Sequence, residues 1–431
     1  MRRAVAWGAV CGLGQAGGMS STDAIPSPAT AVRAEPLDVL RLRTSEKWTS
    51  YPDDVLPLFV AEMDYPLAEP IVSTLLARVQ ASDTGYVGSP GPLAPAFAAF
   101  AGRRWGWTPD ASDIRTTTDV SVAIVETLRQ VLRPGDGVVI TPPIYPPFFD
   151  LVPEAGGVVV EVPLLVGVAG SRGAGYSLDL AGLERVFAGV DGHPPVRAFL
   201  LCNPHNPVGM VPTGAELAAI AELAARYGVI VVSDEIHGPL VHHGETFTPF
   251  LSVSDTARSV GVTVTSASKG WNLAGLKCAL MVASSPRTRA ILEGMPEEVG
   301  FRTGLLGLHA SVAAYTEGEE WLDSAITAIQ DSRSLLAELL AEHMPLVEYR
   351  MPRASYLAWL DFRALGWGDD PAADILAHAR VALSSGHTFG TQGAGFARFN
   401  LACSPEVLTE AVLRIAASAA SISAAQGESR G

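Results

Sequence analysis

Lysine is scarce in this 431-residue chain: there are three among 30 basic residues, and Lys269 and Lys277 share one short segment, SASKGWNLAGLK (266–277). Arginine stays protonated under all protein conditions, whereas lysine can lose its proton and act as a nucleophile. Lys269 is therefore a candidate nucleophile and proton carrier, set against the plainer reading of a surface lysine left by drift. Two other segments carry polar groups suited to holding a ligand, Asn206 in NPHNPVG (203–209) and Asp234 in SDEIHG (233–238). An amide, a carboxylate and an amine flanked by two hydroxyls, Ser266 and Ser268, make a set able to bind and activate a polar ring.

These groups stand where strands end. VVIT (138–141), VVVEV (158–162), RAFLLC (197–202), VIVVSDE (229–235), VTVTS (262–266) and CALMVAS (278–284) read as strands. Residues 120–132 and 215–228 read as helices, stopped at Pro134-Gly135 and at Gly228. Strands apolar at every position, alternating with helices, predict an α/β fold whose mostly parallel sheet is flanked by helices. Ligands in such sheets bind at the carboxyl ends of strands. The helix starting near Val120 offers free N–H groups and a positive dipole end, which suit a phosphate. Residues 76–304 are expected to form this large domain. Residues 35–75 and 305–425, with YLAWLDF and ARFNLAC as strands, are expected to form a smaller α+β domain built from both ends of the chain.

One cofactor uses all of these groups together. Pyridoxal phosphate needs a lysine for an imine, an aspartate to keep its ring nitrogen protonated, a partner for its ring oxygen and a phosphate cradle. The protonated ring is an electron sink, and a buried carboxylate keeps the proton in place. Taken singly, Asp234 reads equally as a cap and the Asn-Pro repeat as a rigid turn. The order Asn206, Asp234, Lys269, with strand–helix units between them, is what points to the cofactor.

Further motifs are PLFVAEMDYP (57–66), GYVGSP (85–90), PPIYPPFF (142–149), CNPHNPVG (202–209), SDEIHGPL (233–240), ASYLAWLDF (354–362) and GFARFNLACS (395–404). On these the chain resembles the fold-type I pyridoxal-phosphate enzymes, the aspartate aminotransferase superfamily, over roughly residues 36–420. More narrowly it resembles the MalY/PatB-type cystathionine β-lyases. The resemblance implies that Lys269 bonds the cofactor and later moves the substrate α-proton, and that Asp234 pairs with the ring nitrogen. It implies that Asn206, with His237 beside it, meets the ring oxygen and the substrate, and that Tyr145 stacks on the ring at the catalytic centre. Val120 and Ser121, through backbone N–H groups, would hold the phosphate with Ser266 and Ser268, and Lys277 would neutralise it. Tyr86 would reach the phosphate of a neighbouring subunit, which implies a homodimer with shared sites. Arg398 would grip the substrate α-carboxylate as a fork. Asp119 departs from the pattern, because a carboxylate in the phosphate loop repels phosphate unless it turns away to cap the helix.

The implied reaction is α,β-elimination on an L-cysteine S-conjugate such as L-cystathionine, giving a thiol, pyruvate and ammonia. An aminotransferase shares every cofactor residue and stays open as an alternative, as does a pyridoxal-phosphate-binding regulatory protein. The net charge of -15 argues against a nucleic-acid or anionic-membrane partner. No run reaches the roughly 18 apolar residues of a membrane span. Cys11, Cys202, Cys278 and Cys403 are scattered without metal-ligand spacing, as expected of free thiols in a reducing cytoplasm. The start, MRRAVAWGAVCGLGQAGG, loosely resembles a signal peptide but is broken by glycines and Gln15. Residues 1–34 are read as a disordered or misassigned extension, with Met19 a candidate start.

Overall fold

A computed structural model describes residues 32–167, 175–190 and 192–428, with side chains through residue 423. The expectation for the N-terminal extension, with Cys11 and Met19, therefore falls almost wholly outside the described residues.

The central sheet has seven strands: β1 (Ile114–Thr117), β2 (Gly137–Ile140), β3 (Val158–Glu161), β4 (Val196–Cys202), β5 (Ile230–Asp234), β6 (Gly261–Thr265) and β7 (Ala279–Val282). Their order across the sheet is β1-β7-β6-β5-β4-β2-β3. Pairing is parallel from β6 through β3, and β7 runs antiparallel to both of its neighbours. Each central strand is apolar on both faces because alternate residues enter opposite cores. Val138, Leu200 and Val232 pack on one side with the helix Val120–Val131, and Val139, Leu201 and Val231 pack on the other with the helix Gly214–Tyr227. The second helix is bounded by a capping box, Thr213 with Glu216, and by Gly228 in the left-handed region at φ 72°. β1, of sequence IRTT, escaped the sequence reading because a short, half-polar strand carries no apolar run.

A second, fully antiparallel sheet comprises β8 (Glu348–Tyr349), β9 (Leu357–Asp361), β10 (Ser384–Ser385) and β11 (Phe396–Asn400), in the order β8-β9-β11-β10. Leu56–Pro57 pairs in parallel with Val381–Ala382, which joins early and late parts of the sequence.

The segment after that pairing, residues 59–65, crosses between the two sheets and is tied to both. Asn400 Nδ2 donates to the carbonyls of Val60 and Glu62 at 2.7 and 2.6 Å. Asn272 accepts from Met63 N–H at 2.9 Å and donates to its carbonyl at 3.0 Å. Lys47 Nζ donates to Asp64 Oδ1 at 2.6 Å, with both side chains buried. Burial, the larger influence, pushes the Asp64 carboxyl above its usual range, while Lys47 draws it back. Removing one partner of a buried pair strands the other charge, so Lys47→Met is expected to cost about 3 kcal/mol of unfolding free energy. Lys47→Met combined with Asp64→Leu should recover most of that loss in denaturant titrations. Equal losses in the single and double variants would contradict the ion pair's role.

Candidate active site

The carboxyl ends of β4, β5 and β6 open onto one cavity of about 400 Å³. Lys269, Asp234, Asn206, His237, Tyr145, Arg398, Val120, Ser121, Ser266, Ser268 and Lys277 line it. Tyr86 does not; it is 89% exposed.

β6 is followed by Ser266, whose side chain caps the short helix Ala267–Gly270 by accepting from Ser268 N–H at 3.0 Å. The Ser266 hydroxyl donates to the Cys278 carbonyl at 2.6 Å, so its proton serves the strand–turn junction. The turn places Lys269 Nζ 2.9 Å from the Ala61 carbonyl, to which it donates. Burial, followed by the field of Arg398, lowers Lys269 to about 8.

Asp234 closes β5. Its Oδ1 accepts from Ile236 N–H at 3.1 Å, and burial outweighs that bond and the nearby Lys269, raising the carboxyl to about 7. A carboxylate so desolvated gains most from a cationic N–H, which is what a protonated ring nitrogen provides. Asn206 lies in the loop after β4, and its Oδ1 accepts from Arg398 Nη1 at 3.2 Å. His237, 4% exposed, has a buried Nδ1 without a partner, and burial lowers the ring to about 3, so it stays neutral.

Arg398 projects from the middle of β11 and is 7% exposed. Its Nη2 donates to the Phe59 carbonyl at 2.9 Å and to Ser384 Oγ at 3.1 Å, and its guanidinium lies over the Phe389 ring at 5.1 Å. Its Nε is buried without a partner. An unmet donor on a buried cation is costly unless a ligand meets it, and a carboxylate is the natural one.

The helix Val120–Val131 begins at the cavity, where Val120 and Ser121 line it and its first N–H groups are free of helical partners. Asp119 caps it, Oδ1 accepting from Val122 N–H at 2.9 Å, while Oδ2 accepts from Lys277 Nζ at 3.2 Å. The carboxylate that threatened repulsion is thus capped and neutralised. Lys277 takes the left-handed conformation at φ 57°. Gly304 and Gly307 back this segment; a Cβ on either would strike the Leu276 carbonyl.

Sequence reasoning missed several residues of this site. Ala61 serves through its carbonyl, which also accepts from the buried Tyr356 hydroxyl at 2.8 Å. Glu46 and Glu62 line the cavity as well. The motif PLFVAEMDYP marks the segment, but a backbone acceptor has no side-chain signature. Among the described residues, no cluster of His, Cys, Asp and Glu is placed to hold a metal ion.

The orphan donor on Arg398, the unpartnered His237 nitrogen, the desolvated Asp234, the lysine and the helix N-terminus together fit pyridoxal phosphate and an amino acid. A family model described as aminotransferase class I and II matches residues 86–415. The chain is 34% identical to cystathionine beta-lyase PatB of Bacillus subtilis over 84% of this chain and 92% of that protein. It is 33% identical to cystathionine beta-lyase of Corynebacterium glutamicum over 89% and 99% of the two chains. Its fold superposes on the crystal structure of cystalysin from Treponema denticola, which contains pyridoxal 5'-phosphate, with TM-score 0.81 and 27% identity over 88% and 96% of the chains.

The Asp234 shift sets a pH dependence. Between the ordinary value of 3.8 and about 7, the folded protein keeps a proton that the unfolded chain has lost, so this group's contribution to stability falls as pH rises through that window. Asp234→Asn lacks the titration. In cofactor-free protein, its stability relative to the parent should therefore increase from pH 4 to pH 7, as read from denaturant midpoints. A pH-independent difference would show that burial does not dominate at this carboxyl.

Proposed function

The chain belongs to the class I and II aminotransferase family, whose model spans residues 86–415, and on that footing we propose that it is a pyridoxal-phosphate-dependent carbon–sulfur β-lyase. Its substrates are L-cystathionine or related L-cysteine S-conjugates, cleaved by α,β-elimination to a thiol, pyruvate and ammonia. Relatives at 33–34% identity carry the name cystathionine beta-lyase. The observation that carries the reading is the buried Arg398, with its unmet Nε, facing the same cavity as Lys269, Asp234 and Asn206.

In this reading Val120 and Ser121 hold the cofactor phosphate through backbone N–H groups, with Ser268 beside them, Lys277 supplying charge and Ser266 bracing the turn. Asp234 keeps a proton on the ring nitrogen, Asn206 and His237 flank the ring oxygen, and Tyr145 covers the ring face. Pyridoxal phosphate, when bound, supplies the electron sink that lowers the cost of negative charge at the substrate α-carbon. Arg398 binds the substrate α-carboxylate through Nε and Nη. Lys269 takes the α-proton at Nζ. An amine brought down to about 8 by burial is neutral often enough near pH 7 to do so, yet basic enough to hold the proton afterwards. The substrate β-thiolate then leaves.

We extend the reading to a homodimer with shared sites. The exposed Tyr86 adjoins a second cavity of about 290 Å³, lined by Val87 and Phe301 among others, a suitable seat for a second copy. The buried free thiols of Cys202, Cys278 and Cys403 suit a reducing cytoplasm. Among the described residues no helix is long and apolar enough to cross a membrane.

Enzyme incubated with L-cystathionine and no added keto acid should release thiol and pyruvate over many turnovers. A single stoichiometric half-reaction would identify a transaminase instead. Lys269→Ala should reduce turnover by about 10³-fold or more and abolish the visible absorbance of the lysine-bound cofactor. Full colour in that variant would overturn the assignment of Lys269.

A further inference from the structure

The cavity carries more negative charge than the reaction above employs. Asp234 is assigned to the ring nitrogen, and Asp119 is neutralised by Lys277. Glu62 and Glu46 line the same cavity without such a role. Glu62 Oε2 accepts from the neutral Ser45 hydroxyl at 2.6 Å, which leaves the carboxylate's charge in place. Glu46 is exposed in the first turn of the short helix Glu46–Thr49. Across the cavity, the field of Glu62 favours the charged form of Lys269 more strongly than that of Asp234 does. Lys269 is committed to the cofactor and to the α-proton during the reaction, which leaves the two glutamates that line the remaining space for a cation of the ligand. Elsewhere in the same space stands Arg398, nine-tenths buried, with its Nε unmet. A ligand that satisfies the whole cavity presents a carboxylate to the arginine and a cation to the glutamates.

We propose that Glu62, assisted by Glu46, is a specificity-determining residue that recognises an ammonium group on the departing thiol. It thereby selects S-conjugates of amino-thiols over S-alkyl and S-aryl cysteines. The inference rests on the lyase reading for the reaction, but recognition of the cation does not require the bond to break. Glu62→Gln keeps the shape and the Ser45 acceptor while removing the charge, so it isolates the electrostatic part.

The test compares two uncleavable ligands on the holoenzyme by calorimetry: L,L-diaminosuberate, the carbon analogue of cystathionine, and L-aminosuberate, which lacks the distal ammonium. With the twofold statistical factor of its two equivalent ends divided out, the unaltered enzyme should bind the diamino ligand about fivefold more tightly, the scale of one solvent-accessible ion pair. Glu62→Gln should bring the ratio close to one, and Glu46→Gln should lower it partway. The preference in the unaltered enzyme should also shrink as ionic strength rises. An unchanged ratio in Glu62→Gln, or a salt-independent preference, overturns the proposal. The ratio of kcat/KM for L-cystathionine to that for S-ethyl-L-cysteine should fall in parallel. If neither thioether releases pyruvate, the lyase reading fails, and the calorimetric ratio still decides the role of Glu62.

Discussion

The amine of Lys269 rests on one backbone oxygen, the Ala61 carbonyl at 2.9 Å, and much of the structure is arranged to hold that oxygen still. Tyr356, at the entrance to β9, donates to the same atom at 2.8 Å. Asn400 and Arg398, both on β11, grip the carbonyls on either side of it. Asn272, three residues beyond the lysine, clamps Met63 from the central-sheet side. The acceptor sits on a segment tied to both sheets, and the donor sits on the short helix that follows β6.

Charge is used sparingly around this contact. All three lysines are employed: Lys47 in a sealed ion pair under the crossing segment, Lys277 against the helix cap, and Lys269 at the centre. Burial drives the carboxyl of Asp234 up and the amine of Lys269 down, bringing an acid and a base toward a common range near neutrality. The same desolvation lowers Arg398 to about 10, still cationic near neutrality, a charge that calls for a partner. The groups expected to meet the reacting molecules are thus those least content with the protein alone.

Much of this was legible in the linear chain because the central strands are buried on both faces, so apolar runs mark them and polar residues at their ends stand out. Asn206, Asp234 and Lys269 were found in that way, and they line one cavity. β1 was not, since its Arg115 and threonines break the apolar run. The crossing segment 59–65 offered a motif without a mechanism, because Ala61 acts through its backbone. Ser266 was read as a phosphate ligand, and its hydroxyl donates to the Cys278 carbonyl. That preference depends on which chain atoms the fold brings near, a tertiary fact. Tyr86 stands exposed outside the cavity, and a single exposed side chain carries no record of a partner.

The glycines behind Lys277 bear on how the sequence can change. Gly304 donates its N–H to the Lys277 carbonyl at 2.8 Å, and with Gly307 it leaves the space that the Leu276 carbonyl occupies. The lysine's left-handed backbone is thus moulded by side chains missing from a helix nearly thirty residues downstream. A chimera that keeps residues 276–277 but brings a side chain to 304 or 307 inherits a clash with backbone that no rotamer change repairs. Recombination across this region is tolerated only where glycine is kept at both positions.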